Sequence, residues 1–457
     1  MRWKNALEIL WAKNRVVCGS ETSNAYRELQ KIYENTEIFG FASGQRCGSW
    51  TAPMAWSVEY ARLTSPEGKI IADWKHHPLS LYTFSPSFKG RISRAELEKH
   101  LFSIPSKPNR IPFHFRNQYR SWDKEWGFCL PQKVRDELPS GTYTVEISTH
   151  FEAGNMEMAE QVHTGRLEHS LLLVGHFDHP YMCNDGLVGC LAGHEAIARL
   201  ANTQTHLTYR MLSTIEIIGS VFYADSRAKQ NSVCEALFVA AAGAKTPLAY
   251  QKSFCGNSVI DRTMRHVLKT NGKKWSEHEF RQGPLGNDET AFDVGGTDIP
   301  CGSIMRGLFE EYHTDGDNLD TVDEQNFEQM VNLVSRCINI IEQNTTLERE
   351  FSGLPCLASP EIDLYLSPTQ MSSVDQDVLN SGLFNDLPQE YRDIIPQKTE
   401  NLNYLMNILP RMCEGDCTVL DVAEKSDLPF EFVDFYSDKW MEKGLLNKIW
   451  NNPFSTN

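Results

Sequence analysis

No stretch of the 457-residue sequence holds the roughly 20 consecutive apolar residues that a bilayer span requires. The most apolar segment, Ala236 to Ala244, is far shorter, so no membrane-spanning helix is expected. Positive charge is also short: 44 Lys and Arg face 60 Asp and Glu, a formal net charge of −16. No overall field therefore draws in phosphate backbones or anionic lipid, and neither nucleic acid nor a membrane is an expected partner. Internal repeats and low-complexity tracts are missing. The twelve cysteines are scattered and form no paired Cys/His set; Cys413 and Cys417 stand without a second pair, so a zinc knuckle is not expected. In the first segment, Glu8 and Lys13 interrupt any apolar run of signal-peptide length. That segment reads as an amphipathic helix, and the expected location is the cytoplasm, with reduced cysteines.

What is present is ordinary globular composition, 41% hydrophobic and 23% charged, at a length that suggests about three domains. Residues 1–45 read as helix, with Leu7, Leu10 and Trp11 on one face and Ala25, Leu29 and Ile32 following at helical spacing. From 46 to 141, short alternating runs broken by prolines and by Pro66-Glu67-Gly68 predict a small inserted β-rich domain, with one helix near Ser93 to Leu101. From 142 to 352, strands alternate with helices as in a sheet covered by helices. Strands are predicted at Leu171 to Gly175, Tyr209 to Ile215, Leu237 to Ala242 and Ile299 to Met305, and a helix from Glu324 to Glu342. A Pro-rich connector, 353–385, leads to a helical tail, 386–457, ending in a short strand pair.

Polar clusters stand directly after the strand candidates, where open α/β sheets bind ligands. The first is His176-Phe177-Asp178-His179-Pro180, followed by Asn184-Asp185-Gly186; the others are Glu216, Asn287-Asp288-Glu289 and Tyr312-His313-Thr314 through Asp320. Imidazoles and carboxylates arriving from several strand ends are what a catalytic zinc site needs.

Their order resembles the co-catalytic zinc aminopeptidases. It resembles more closely the bacterial aminopeptidase-like proteins associated with polysaccharide biosynthesis, which carry His-x-Cys-His-Pro, Asn-Asp, Pro-Glu-Thr-Ile-Gly-Ser, Asp-Glu and Tyr-His-Thr in that order. The corresponding residues here are His176 to Pro180, Asn184-Asp185, Glu216 to Ser220, Asp288-Glu289 and Tyr312 to Thr314. The resemblance covers nearly the whole chain. It implies an α/β zinc-exopeptidase-like mixed sheet, an inserted small domain and a C-terminal winged helix. It also implies one or two zinc ions: Asp185 shared, His176 and Asp288 on one ion, Glu216 and His313 on the other, with Asp178 orienting His176 from behind.

Two departures leave alternatives open. The aminopeptidases carry adjacent Glu-Glu, one as base and one as ligand, whereas Thr214-Ile215-Glu216 offers one. Either Glu216 is the base, or it is a ligand and Glu289 takes the proton. Asp178 stands where the bacterial branch has Cys, and His179 replaces or supplements His176 as an alternative ligand. For substrate, Arg120 in the aromatic stretch Tyr119 to Cys129 suits a carboxylate or phosphate, against a simple packing role. Glu310 and Glu311 suit a substrate ammonium, against a solvated loop. In the tail, seven basic residues face thirteen acidic ones, the wrong balance for DNA, so it reads as a protein-contact or self-association module. The expected function is metal-dependent hydrolysis of an amide bond in a peptide or small amide, most simply aminopeptidase-like. An amidohydrolase of an N-acyl sugar or natural product, and a catalytically silent binding protein on the same fold, are the alternatives.

Overall fold

The computed structural model describes residues 1–120, 122–366, 386–392 and 399–455. Most of the expected connector, and Ser121, lie outside the described residues. The chain forms two compact units, Met1–Ile260 with Lys274–Val334, and Asp261–Lys273 with Ser335–Asn457.

The first unit is built on an eight-stranded mixed sheet. Its strands are β1 (Thr36–Ala42), β2 (Asn155–His163), β3 (Ser170–His176), β4 (Thr208–Thr214), β5 (Val233–Ala240), β6 (Leu248–Gln251), β7 (Trp275–His278) and β8 (Cys301–Arg306). The order across the sheet is β1-β2-β4-β3-β5-β8-β6-β7. The four central strands, β4-β3-β5-β8, are parallel, and β3 is buried along its whole length, as a strand covered on both faces must be. Helix α1 (Leu187–Ala198) buries ten of its twelve residues, packing on β2 to β5 and on the N-terminal helix Arg2–Leu10. Among the described residues, no helix is long and apolar enough to cross a membrane.

Three expectations are corrected. Residues 36–42 are strand, not helix: Ile38, Phe39 and Phe41 suit a pleated surface, and β1 pairs in register with β2. The β-rich insertion does not end at 141, because Thr142–Glu152 pairs with both Ala55–Thr64 and Phe88–Ser93; a boundary at 141 would cut a four-stranded sheet. Nor does the expected catalytic segment run to 352. Thr345–Arg349 is the middle strand of an antiparallel sheet with Glu414–Thr418 and Leu446–Trp450. That sheet and the helices Thr399–Met412, Val419–Ser426 and Phe430–Glu442 belong to the second unit.

Candidate metal centre and active site

Register places the carboxyl ends of the central strands side by side, with His176 opposite Thr214. His176 closes β3, Glu216 follows β4 by two residues, and Ala240 closes β5. Asp185 arrives on the turn that opens α1. Gly186 there has φ +99°, and a Cβ would come within 2.3 Å of the His176 carbonyl oxygen and 2.5 Å of its ring, so only glycine lets this turn approach the histidine. Tyr181, Ile217 and His313 all hold positive φ. That backbone is costly for a β-branched residue such as Ile217, and such strain gathers at functional sites.

Three imidazoles surround the buried Asp185. His176 Nε2 lies 3.2 Å from Oδ1, while His313 Nε2 and His179 Nε2 lie 2.8 Å and 3.6 Å from Oδ2. His179 Nε2 is also 3.7 Å from Glu216 Oε2. One ligand atom each from His176, His179 and Asp185 fall within 4.8 Å of one another. Burial alone would raise the Asp185 carboxyl, but the imidazoles of His179, His313 and His176 hold it well below the usual carboxylate range. Burial likewise opposes charge on His176, yet its bonds to Asp185 and Asp288 leave its pKa well above that of a free imidazole. His179, with burial dominant, is pushed down to about 4, the neutral form a metal ligand requires.

The structure brings His176, Asp185, Glu216 and His313 together and adds His179 beside His176 rather than in its place. It redistributes the other roles. Asp288 is not placed as an independent ligand: Oδ1 accepts from Ile217 N (2.9 Å) and Ser220 Oγ (2.5 Å), and Oδ2 is 3.0 Å from His176 Nδ1. It occupies the position expected of Asp178, fixing the His176 ring so that Nε2 faces Asp185. Asp178 instead accepts from the Glu216 backbone N–H at 2.8 Å. Burial first, then the nearby Glu216 charge, push its carboxyl up to about 7.

Glu289 is fully buried; Oε1 takes hydrogen bonds from Gln251 (3.0 Å) and Arg281 (2.7 Å) while Oε2 has no hydrogen-bond partner among the described residues, and the residue is not among those lining the hollow over His176, Asp185 and Glu216. Glu310 and Glu311 line a neighbouring groove with Lys245 and Phe309. They are not among the residues lining the hollow over His176, Asp185 and Glu216. Arg120 is exposed, and the residue of the insertion that reaches the site is its neighbour: Tyr119 OH donates to Glu216 Oε2 at 2.5 Å. Asn287 Nδ2 donates to Oε1 at 2.6 Å. The strand-like segment before Tyr119 runs along the His313 loop, with Phe113 N bonded to the His313 carbonyl and the Phe115 ring edge-on to the imidazole.

Sequence reasoning passed over Arg15. It is fully buried and donates to the carbonyls of Phe177 (2.8 Å), His179 (2.6 Å) and Met182 (2.8 Å), tying the N-terminal segment to the loop that carries His179. Nothing local in Lys13-Asn14-Arg15 announces this.

For a transition metal the donor set fits. Neutral imidazole nitrogens and carboxylates are zinc ligands, and two atoms each about 2.1 Å from one ion lie up to ~4 Å apart, close to the observed spread of His176, His179 and Asp185.

A mixed sheet with imidazoles and carboxylates gathered at its parallel strand ends defines an aminopeptidase-like α/β protein. Residues 4–344 match the family described as "Domain of unknown function (DUF4910)". Over 440 residues the chain is 30% identical to a Clostridium acetobutylicum "Putative polysaccharide biosynthesis protein with aminopeptidase-like domain", covering 95% of this chain and 94% of the relative. The chain belongs to this family. A crystal structure of a "putative peptidase" from Clostridium acetobutylicum superposes with a TM-score of 0.80 at 25% identity, covering 98% of this chain and 96% of that one. BSAP, a zinc aminopeptidase from Bacillus subtilis, shares the fold with a TM-score of 0.53 at 12% identity, over 74% of this chain and 94% of its own.

Proposed function

We propose that the protein is a metal-dependent amide-bond hydrolase of the exopeptidase type. The observation that carries this is the buried Asp185 ringed by His176, His179 and His313, with Glu216 at its margin. The aminopeptidase-like domain named in the Clostridium relative supports the same reaction class. His176, His179, His313 and Asp185 would hold zinc, with Glu216 as a further ligand or as the base beside it. When bound, zinc supplies Lewis acidity toward water and the scissile carbonyl. Glu216 then takes the proton of the attacking water and returns it to the leaving nitrogen. Tyr119 and Asn287 hold its two oxygens in place for both transfers.

The test is a panel of aminoacyl and N-acyl amides incubated with zinc-supplemented protein, with and without chelator. Chelator-sensitive release of amine is expected, and no hydrolysis of any member would overturn the reading. Tyr119→Phe should lower kcat about tenfold with KM nearly unchanged, the ~1.4 kcal/mol of one hydrogen bond to a charged group. An unchanged kcat would remove Tyr119 from the machinery.

The second unit is proposed as a protein-contact or self-association module. Acidic residues on Phe430–Glu442 are engaged inside that unit, Glu431 with Arg336 and Asp434 and Asp438 with Lys448, and its net balance repels phosphate. Anisotropy titration of the full-length protein with duplex DNA at physiological salt should show no sub-micromolar binding. Affinity in that range would contradict the assignment.

A further inference from the structure

The hollow over the cluster is lined by two carboxylates, Asp185 and Glu216, by the His176 imidazole and, among the described residues, by one arginine, Arg281. Both carboxylates are engaged, Asp185 by the imidazoles and Glu216 by Tyr119 and Asn287. No acidic group is left there to receive a substrate ammonium. Arg281 is different. Its side chain is 41% exposed, and it donates to the Gly286 carbonyl (2.7 Å), Glu289 Oε1 (2.7 Å) and Asn287 Oδ1 (3.0 Å). A guanidinium has five N–H donors, so two remain for a ligand.

The loop that presents Arg281 is firmly held. Gln251 accepts from Gly283 N at 2.9 Å and donates to the buried Glu289, and Arg281 itself keeps a φ of +62°, a conformation that carries a cost for a side chain of this size. One amide side chain, Asn287, separates the guanidinium from Glu216, bonded to each. Those bonds, 3.0 Å and 2.6 Å, with the amide between them, span at most about 8 Å, room for about one residue of extended chain (roughly 3.5 Å) together with its hydrogen-bond contacts at the two ends.

We propose that Arg281 receives a carboxylate of the substrate, so that the preferred substrates are amides carrying a carboxylate about one residue from the scissile bond, such as short peptides or N-acyl amino acids. This rests on the hydrolytic reading above. In the reaction, water adds its oxygen to the carbonyl carbon, the C–N bond breaks, and the nitrogen leaves with a proton delivered through Glu216. One carboxylic acid and one amine form. Because Arg281 also bonds Asn287, it is a positioning residue for Glu216 as well as a recognition group, and the test must separate the two roles.

The experiment compares kcat/KM of the full-length, zinc-supplemented protein for Ala-Ala against Ala-Ala-amide, and for N-acetyl-Ala-Ala against its amide. Wild type should favour each carboxylate by about tenfold or more. Arg281→Gln should bring both ratios to about one, and Arg281→Lys should retain part of the preference. A merely structural role would lower all four substrates equally and leave the ratios unchanged, which would overturn the proposal. Calorimetric titration with N-acetylalanine and N-acetylalaninamide reads the same preference without turnover. Carboxylate binding weakened about tenfold in Arg281→Gln, in a protein that hydrolyses nothing, would sink the hydrolytic reading and with it the substrate preference, leaving Arg281 as a carboxylate-binding residue. Equal affinity of wild type for both compounds would overturn the proposal.

Discussion

Replacing Asp185 by alanine is expected to strip the protein of zinc, measured by mass spectrometry after reconstitution with excess metal and desalting. Three imidazoles converge on this one carboxylate, and its loss leaves them without the anion that gathers them. Asp288→Ala should behave differently. Asp288 touches the imidazoles around Asp185 through His176 Nδ1, and losing such an outer partner typically costs 10–100-fold in metal affinity, about 1.4–2.7 kcal/mol, so zinc should remain at saturating concentrations. Asp185→Asn, which preserves shape, guards against a trivial folding defect. Undiminished zinc in both Asp185 variants would show that the ion sits elsewhere. Equal depletion by Asp288→Ala would restore that residue as a ligand.

The contrast between those two residues marks how far the sequence could be read. His176, Asp185, Glu216 and His313 were legible because each belongs to a polar cluster in a loop that follows an apolar strand run, and the ends of parallel strands must come together once the strands pair. Which carboxylate stands behind which imidazole was not legible. Asp178 lies two residues after His176, which in a strand would put both on one face. The strand stops at His176, and Asp178 turns to the Glu216 backbone instead. Asp288, 112 residues away, takes its place.

Partners contributed across long separations left no local trace either. Tyr119 is 97 residues from Glu216, and Arg15 is 164 from His179. The aromatic stretch beginning at Tyr119 was visible, but the phenol enters the site while the adjacent arginine stays exposed. Domain limits failed for a related reason: Thr142–Glu152 and Thr345–Arg349 have strand character that belongs to whichever sheet pairs with them, and pairing is a tertiary choice.

Glu216→Gln should lower kcat by about 10²–10⁴, the usual contribution of a positioned general base, or roughly 2.7–5.5 kcal/mol of barrier, while zinc content stays near that of wild type. The geometry makes the substitution clean. Glu216 accepts from Asn287 on Oε1 and from the Tyr119 hydroxyl on Oε2. A glutamine can keep its carbonyl oxygen toward Asn287 and donate its N–H to the phenol oxygen, so shape and hydrogen bonding survive and proton acceptance does not. Glu216 Oε2 is 3.7 Å from His179 Nε2, near enough to share an ion with that ring, and the zinc measurement separates the two roles. Retained zinc with lost turnover makes Glu216 the base. Zinc lost as completely as in Asp185→Ala makes it a ligand, and the proton must then move through another group. The candidate named from sequence, Glu289, is bound through Oε1 to Arg281 and Gln251, has Oε2 without a partner among the described residues, and is not among the residues lining the hollow. Tyr119 is held neutral by burial and by the Glu216 charge beside it. Glu216, held by Tyr119 and Asn287 at the margin of the Asp185 cluster, is therefore the group we propose as the base.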